Sequence, residues 1–395
     1  MLEKNKSCRR QYAGTLKVVL AIPLLLSLVG FGSCSGGSSS RSTLRVGAVL
    51  PLTGDSAAWG DQGRKGIEAA VKEINDSGGI NGQSLEVVYE DSQANPRLAV
   101  SAISKLISVD KVPAVVGDMV SATTLAMAPI AEEKQVVLIA PSASAPAISD
   151  AGKFIYRVWP SDLLEGSELA KWAHGQGYKR VCVLYISTDY GLGLSKVFQQ
   201  TFESLGGSVP STQGYAQDET NFKPYLARVK SENPDAVYLI SYYKDAALAL
   251  KQAKEIGLNA QFFGATAVES PELVKLAGDA AEGLIYPTIV DFDPANPNDN
   301  QRAFIEKFRA AYKTDPDWAS SHAHDALLVI AEAMRSGART GDEIRQAIDK
   351  KREFSGVTGR IIFNEKGDVV DKPVAIKMVK NGKFEPFKKE ELSNK

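Results

Sequence analysis

Cysteine, histidine, long apolar runs and net charge are all scarce in this chain, and each scarcity removes a class of function. Of 395 residues three are cysteine. Cys8 and Cys34 fall in the first forty residues, so Cys182 stands alone in the body, within the apolar run VCVLYI. No intramolecular disulfide and no cysteine cluster can therefore form there. An apolar setting raises a thiol pKa, so Cys182 reads as a small core side chain and not as a nucleophile. The three histidines offer little more: His174 ends a helical stretch, while His322 and His324 lie two apart on one helix and face different ways. No G-x-S-x-G elbow, H-E-x-x-H helix or G-x-x-x-x-G-K-[ST] loop occurs, which argues against a hydrolase, a metalloenzyme or an NTPase and leaves no cofactor or metal to expect. With 46 basic and 47 acidic side chains the formal charge is -1, so there is no cationic field for nucleic acid.

What is present begins with a leader. Lys4, Lys6, Arg9, Arg10 and Lys17 precede an uncharged stretch from Val18 to Ser33 rich in Leu and Val. That stretch is shorter than the roughly 20 residues a spanning helix needs, and with its basic flank it reads as a secretion signal over residues 1–33. Gly32 and Ser33 lead directly into Cys34, an arrangement that resembles a bacterial lipoprotein signal, with Phe31 where Leu is commonest. The resemblance implies a lipidated Cys34 and a membrane-anchored protein, periplasmic or on the cell surface. Residues 34–42, rich in Ser and Gly, have no apolar side chains to bury and read as a flexible tether. No second apolar segment follows, and the chain closes on FKKEELSNK, which favours a free component over a receptor with a spanning helix.

From Leu44 onward short apolar runs alternate with amphipathic stretches: LRVGAVL, a helix carrying Ile67, Ala70, Val71 and Ile74, LEVVYED, a helix near 97–109, PAVVG, a helix near 122–134, and VVLIAP. This is the signature of βαβ units on a parallel sheet. The rhythm breaks at FIYRVWPSD and restarts with RVCVLYI, PDAVYLIS and QFFGAT, separated by further helices. The expectation is an α/β fold of two doubly wound parallel-sheet lobes joined by three crossing segments. The boundaries read as 43–160 plus 290–368 for one lobe and 161–289 plus 369–395 for the other. Open α/β sheets place ligands at the carboxyl ends of their strands, so the cleft between the lobes is the expected site, closing like a hinge.

The segments VGAVLPLTGDSAAWGDQGRKGIEAAVKEINDSGGINGQ, VVGDMVSATTLAMAPIAEEKQVVLIAPSASAP, YISTDYGLG and GDAAEGLIYPTI, with FNEKGD much later, resemble type I periplasmic binding proteins of the leucine/isoleucine/valine-binding group, over nearly the whole body. The resemblance implies a monomeric solute-binding protein that serves the permease of an ABC importer. Its ligand would be a small carboxylate-bearing solute, such as an amino acid. Ser121, between a strand and a helix N-terminus, can hold an anion, or can merely cap the helix. Ala143 and Ser144 would complete the carboxylate site, Trp59 would supply an apolar wall, and Tyr190 and Tyr242 would face the ligand from the second lobe, with Tyr243 competing for the latter place. Gly191 and Gly193 read as strand-to-helix turn residues. One departure stands out: Thr266 occupies the place where amino-acid-binding relatives carry an acid for the ligand ammonium. A substitute carboxylate is then needed, Asp162 first and Glu269 or Asp291 behind it. Otherwise the ligand is a des-amino carboxylic acid, or the protein is a sensing module that reports closure to a partner.

Overall fold

The computed structural model describes residues 43–290, 292 and 297–388. The leader, Cys34 and the tether lie outside the described residues, as do Asp291 and the last seven positions.

The first series runs β1 (Leu44–Leu50), α1 (Ala57–Asp76), β2 (Leu85–Asp91), α2 (Pro96–Ser108), β3 (Ala114–Gly117), α3 (Ser121–Glu133), β4 (Val137–Ala140) and β5 (Ile155–Arg157). Its five strands pair in the order β2-β1-β3-β4-β5, all parallel. Alternate residues along each strand leave by opposite faces. Val46, Ala48 and Leu50 accordingly join one core with Ile67 of α1, whereas Val49 and Val115 join another with Ile103 of α2 and Met127 of α3.

The second series runs α4 (Asp162–Gly175), β6 (Val181–Ile186), α5 (Asp189–Ser204), β7 (Thr212–Tyr215), α6 (Lys223–Ser231), β8 (Ala236–Ile240), α7 (Tyr243–Glu255), β9 (Gln261–Gly264), α8 (Pro271–Ala277) and β10 (Ile285–Ile289). The remainder comprises α9 (Asp299–Tyr312), α10 (Trp318–Arg335), α11 (Gly341–Lys351), β11 (Glu353–Gly356), β12 (Gly359–Phe363), β13 (Val369–Val370), β14 (Val374–Lys380) and β15 (Lys383–Pro386). The second sheet is ordered β15-β14-β10-β9-β8-β6-β7. It is parallel from β7 to β10 and antiparallel at β14 and β15, because the chain re-enters this lobe by a direct strand and not through a crossover helix. β11, β12 and β13 form a small antiparallel sheet of their own.

Two lobes therefore share three passages of chain, between β5 and α4, between β10 and α9, and between β13 and β14. At the first passage stands Arg157, fully buried: its Nε donates to Asp368 Oδ1 at 2.7 Å, one terminal nitrogen to the Ser144 and Ala145 carbonyls at 2.8 and 2.9 Å, and the other to Ser149 Oγ at 2.7 Å. A single guanidinium thus ties the strand that leaves the first lobe to the PSASAP loop and to the approach of the third passage. Asp325 of α10 plays a similar part for the small sheet. It accepts from the backbone N–H groups of Val357 and Thr358 at 2.9 and 2.8 Å, from Thr358 Oγ1 at 2.7 Å, and pairs with His324 Nδ1 at 2.9 Å.

Candidate functional site

The lobes are closed on one another. Tyr243 Oη donates to the Asp55 carbonyl at 2.6 Å, Lys244 pairs with the Asp55 carboxylate, and Trp318 Nε1 donates to the Glu269 carbonyl at 3.1 Å. Gly193, in the first turn of α5, faces Pro146 of the opposite lobe so closely that a β-carbon would lie 2.7 Å from the proline ring. Gly191 and Gly193 are thus helical residues placed for close approach, and not turn residues. At Gly191 the added carbon would meet the Ile186 carbonyl at 2.0 Å.

Between the lobes lies a narrow cavity. The first lobe contributes Trp59, Met119, Val120, Ser121, Ser142 and Ser144, joined by Trp318 from α10. The second contributes Glu165, Tyr190, Tyr242 and Thr266. Six of the eight residues expected at the ligand are here. Tyr242 rather than Tyr243 faces inward, its neighbour being engaged with Asp55. Ala143 and Asp162 are the exceptions: in an extended loop successive side chains point to opposite sides, so Ala143 packs into the first lobe's core and Ser142 lines the cavity. Asp162 is fully buried next to the cavity without forming its wall. Glu269 lies in a neighbouring recess and is already committed, accepting from Lys377 Nζ at 2.6 Å and Thr288 Oγ1 at 2.9 Å.

The first lobe's polar groups are donors. Ser121 is the first residue of α3 and not its cap; Val120 holds that position, and no side chain caps the helix. Elsewhere capping is explicit, as at Asn95 of α2, Asn298 of α9 and Asp317 of α10. The end of α3 therefore presents uncapped N–H groups and the positive end of its dipole to the cavity. Ser121 Oγ accepts N–H bonds from Ser144 and Ala145, both at 3.1 Å. A hydroxyl has two lone pairs and one proton, so with both lone pairs engaged Ser121 is left to donate. The peptide groups after Ala143 consequently fix Ser121 in place and do not face the cavity themselves.

The second lobe's groups are acceptors. Glu165 is 4% exposed; Thr266 donates to it from its backbone N–H at 3.0 Å and pairs through Oγ1 with Oε2 at 2.9 Å. Burial pushes its pKa up to about 7 despite those bonds. Asp162, three residues earlier on the same turn, is raised well above the ordinary carboxylate range, by burial first and by Glu165 next. Neither of its oxygens has a partner in ordinary hydrogen-bond geometry, the Ser144 hydroxyl and the Arg157 guanidinium being the groups that favour its charge. The hydroxyl of Tyr190 and the indole N–H of Trp59 also lack partners among the described residues. Aromatic rings enclose the rest, with Trp59 edge-on to Tyr242 at 5.1 Å and to Trp318 at 5.8 Å, and Tyr190 stacked on Tyr242 at 5.7 Å.

Glu165 escapes sequence inspection because it sits inside a helical stretch whose polar positions read as solvated. The available signal is its i, i+3 spacing from Asp162 directly after the Pro160 break, which puts two acids on one face of the first turn.

The periplasmic binding protein family profile matches residues 43–383. Over 349 residues, 87% of this chain and 91% of the relative, the sequence is 32% identical to a leucine-, isoleucine-, valine-, threonine- and alanine-binding protein of Pseudomonas aeruginosa. Over 328 residues, 82% and 88% of the two chains, it is 30% identical to the Leu/Ile/Val-binding protein of Escherichia coli. The fold matches a leucine-binding protein of Thermotoga maritima with a TM-score of 0.82 at 32% identity, covering 88% of this chain and 98% of that one. It also matches a branched-chain amino acid transporter substrate-binding protein of Streptococcus pneumoniae solved with isoleucine, with a TM-score of 0.80 at 27% identity and coverage of 87% and 98%. Two α/β lobes closed over a donor-and-acceptor cavity, with this breadth of similarity, place the chain in the periplasmic binding protein family, beside its Leu/Ile/Val-binding members.

Proposed function

We propose that the protein captures a small aliphatic amino acid outside the cytoplasm and delivers it to the permease of an ABC importer, without chemical change to the solute. The observation that carries this reading is the first lobe's donor set: an uncapped helix N-terminus and a serine hydroxyl with only its proton left to give, both aimed into a closed cavity. That set suits a carboxylate and needs no arginine. The aromatic walls of Trp59, Trp318 and Tyr242 suit an apolar side chain, and the related proteins named for leucine, isoleucine, valine, threonine and alanine support this ligand class.

On this reading lobe 43–160 with 290–368 and lobe 161–289 with 369–395 move as units about the three passages, and the bonds from Asp55 to Tyr243 and Lys244 form when they close. The amino-terminal sequence supports secretion and anchoring through a lipidated Cys34.

The test is a thermal-shift screen of protein refolded from denaturant to strip carried-over solute, against amino acids and their des-amino counterparts. A ligand at a hundred times its Kd adds about 2.7 kcal/mol to stability. Ser121→Ala is expected to weaken the responding ligand about 10- to 100-fold, the worth of one hydrogen bond to a charged group. If no amino acid raises the melting point, the reading fails.

A further inference from the structure

We infer that Glu165, held by Thr266, is the receptor for the ligand's ammonium group and gives up a proton when that group arrives. The inference rests on the amino-acid reading above and names the residue that makes the second lobe selective for it.

Among the described residues Glu165 is the one carboxylate in the cavity wall. Its two oxygens are aimed by Thr266, one through the backbone N–H and one through Oγ1, so the side chain cannot swing away without breaking both contacts. A lone carboxylate facing a wall of indole and phenol rings is unfavourable unless it is protonated or meets a cation. Thr266 accommodates both conditions. Its Oγ1 lies 2.9 Å from Glu165 Oε2 and 2.8 Å from the Pro287 carbonyl, yet it carries a single proton. With Glu165 neutral, the carboxyl proton goes to Thr266 Oγ1 and the threonine donates to Pro287; with Glu165 ionised, the threonine turns its proton to the carboxylate. The rest of the surroundings favour the neutral acid until a cation enters: Glu165 is buried, Arg157 is committed to Asp368 and the loop carbonyls, and Tyr190 and Tyr238 are buried phenols that cannot supply positive charge. An entering ammonium supplies it, the Glu165 proton leaves to solvent, and the new carboxylate and the ammonium neutralise one another, while the ligand's own carboxylate is met by the first lobe's donors. The acid that Thr266 does not itself provide is thus offered from α4, one hydrogen bond away.

The experiment is titration calorimetry of the full chain in phosphate and in Tris, whose ionisation enthalpies differ. The probes are leucine, valine and alanine, with 4-methylpentanoate, 3-methylbutanoate and propanoate as their des-amino counterparts. For the wild type, the tightest amino acid should show buffer-dependent heat equivalent to release of up to about one proton near pH 7. Glu165→Gln, which keeps shape and both oxygen-side contacts in part, should bind that amino acid at least about 100-fold more weakly and show no proton release. Its affinity for the des-amino counterpart should stay within about threefold, which also shows that the variant is folded. Thr266→Val, a positioning change, should cost about tenfold for the amino acid alone. Amino-acid binding that survives Glu165→Gln within threefold, or proton release that persists in it, overturns the inference and leaves the amino-acid reading standing, whereas a wild type that takes only des-amino acids overturns both. A wild type that binds none of the six probes overturns both.

Discussion

Asp325 and Asp162 are both carboxyls with no solvent exposure, and they are treated in opposite ways. Asp325 has four partners from its own protein, two of them backbone N–H groups, and these overcome the cost of burial and hold its pKa below the usual range. Asp162 has no partner in ordinary geometry, and together with Glu165 it is held well above that range. A buried acid that the fold satisfies belongs to the architecture; one that the fold leaves short is waiting for something that the fold does not contain. The contrast separates the residues that hold the small sheet onto α10 from those that address the cavity.

The sharpest way to break this contrast is to remove each acid in turn. Asp325→Ala is expected to destabilise the protein by about 3–5 kcal/mol, since it strands two buried N–H groups and His324, with no change in ligand affinity for the protein that remains folded. Asp162→Asn should leave the urea midpoint unchanged or higher. Equal losses from the two would erase the distinction.

Next in size is the response to pH. Asp325, with a lowered pKa, contributes stability that is present above the ordinary carboxylate range and is lost as pH falls through its folded value. Glu165, raised to about 7, acts in the other direction on binding: an ammonium needs the charged form, so amino-acid affinity should weaken below pH 7 by up to about tenfold per unit, measured by calorimetry, before acid unfolding begins. Affinity that is flat from pH 7 to 5 would contradict the environment described for Glu165.

The smallest effect belongs to the interlobe pair. Lys244 and Asp55 are about half exposed, and such pairs contribute less than about 1 kcal/mol, so Lys244→Ala should weaken binding no more than about threefold. A larger loss would move the weight of closure from the cavity to its rim.

Much of this was legible in the sequence. The alternation of short apolar runs such as LRVGAVL with amphipathic helical stretches announces a doubly wound sheet, because strands covered by helices on both faces are apolar throughout. Ser121 and Ser144 were recoverable from their places at the carboxyl ends of strands, whereas Trp59, Tyr190 and Tyr242 were implied only by the family resemblance. The antiparallel pairing of β14 and β15 was not, since an apolar run such as PVAIKMV does not encode its direction. Nor was the division of labour between Ser142 and Ala143, where a one-residue step changes which side chain faces the cavity. Glu165 was the deepest omission: its importance depends on Thr266, a hundred residues later, and no local pattern joins the two.

The aromatic wall has a consequence in optics. Three of the four tryptophans, Trp59, Trp159 and Trp318, form an edge-to-face chain with centroids 5.8 and 5.6 Å apart, reaching Tyr242 across the cleft. Their emission colour and quenching are therefore set by whether the lobes meet, while Trp172, packed on Phe263 and Phe387 inside the second lobe, supplies a steady background. The molecule carries its own fluorophore for closure, readable in real time without a label.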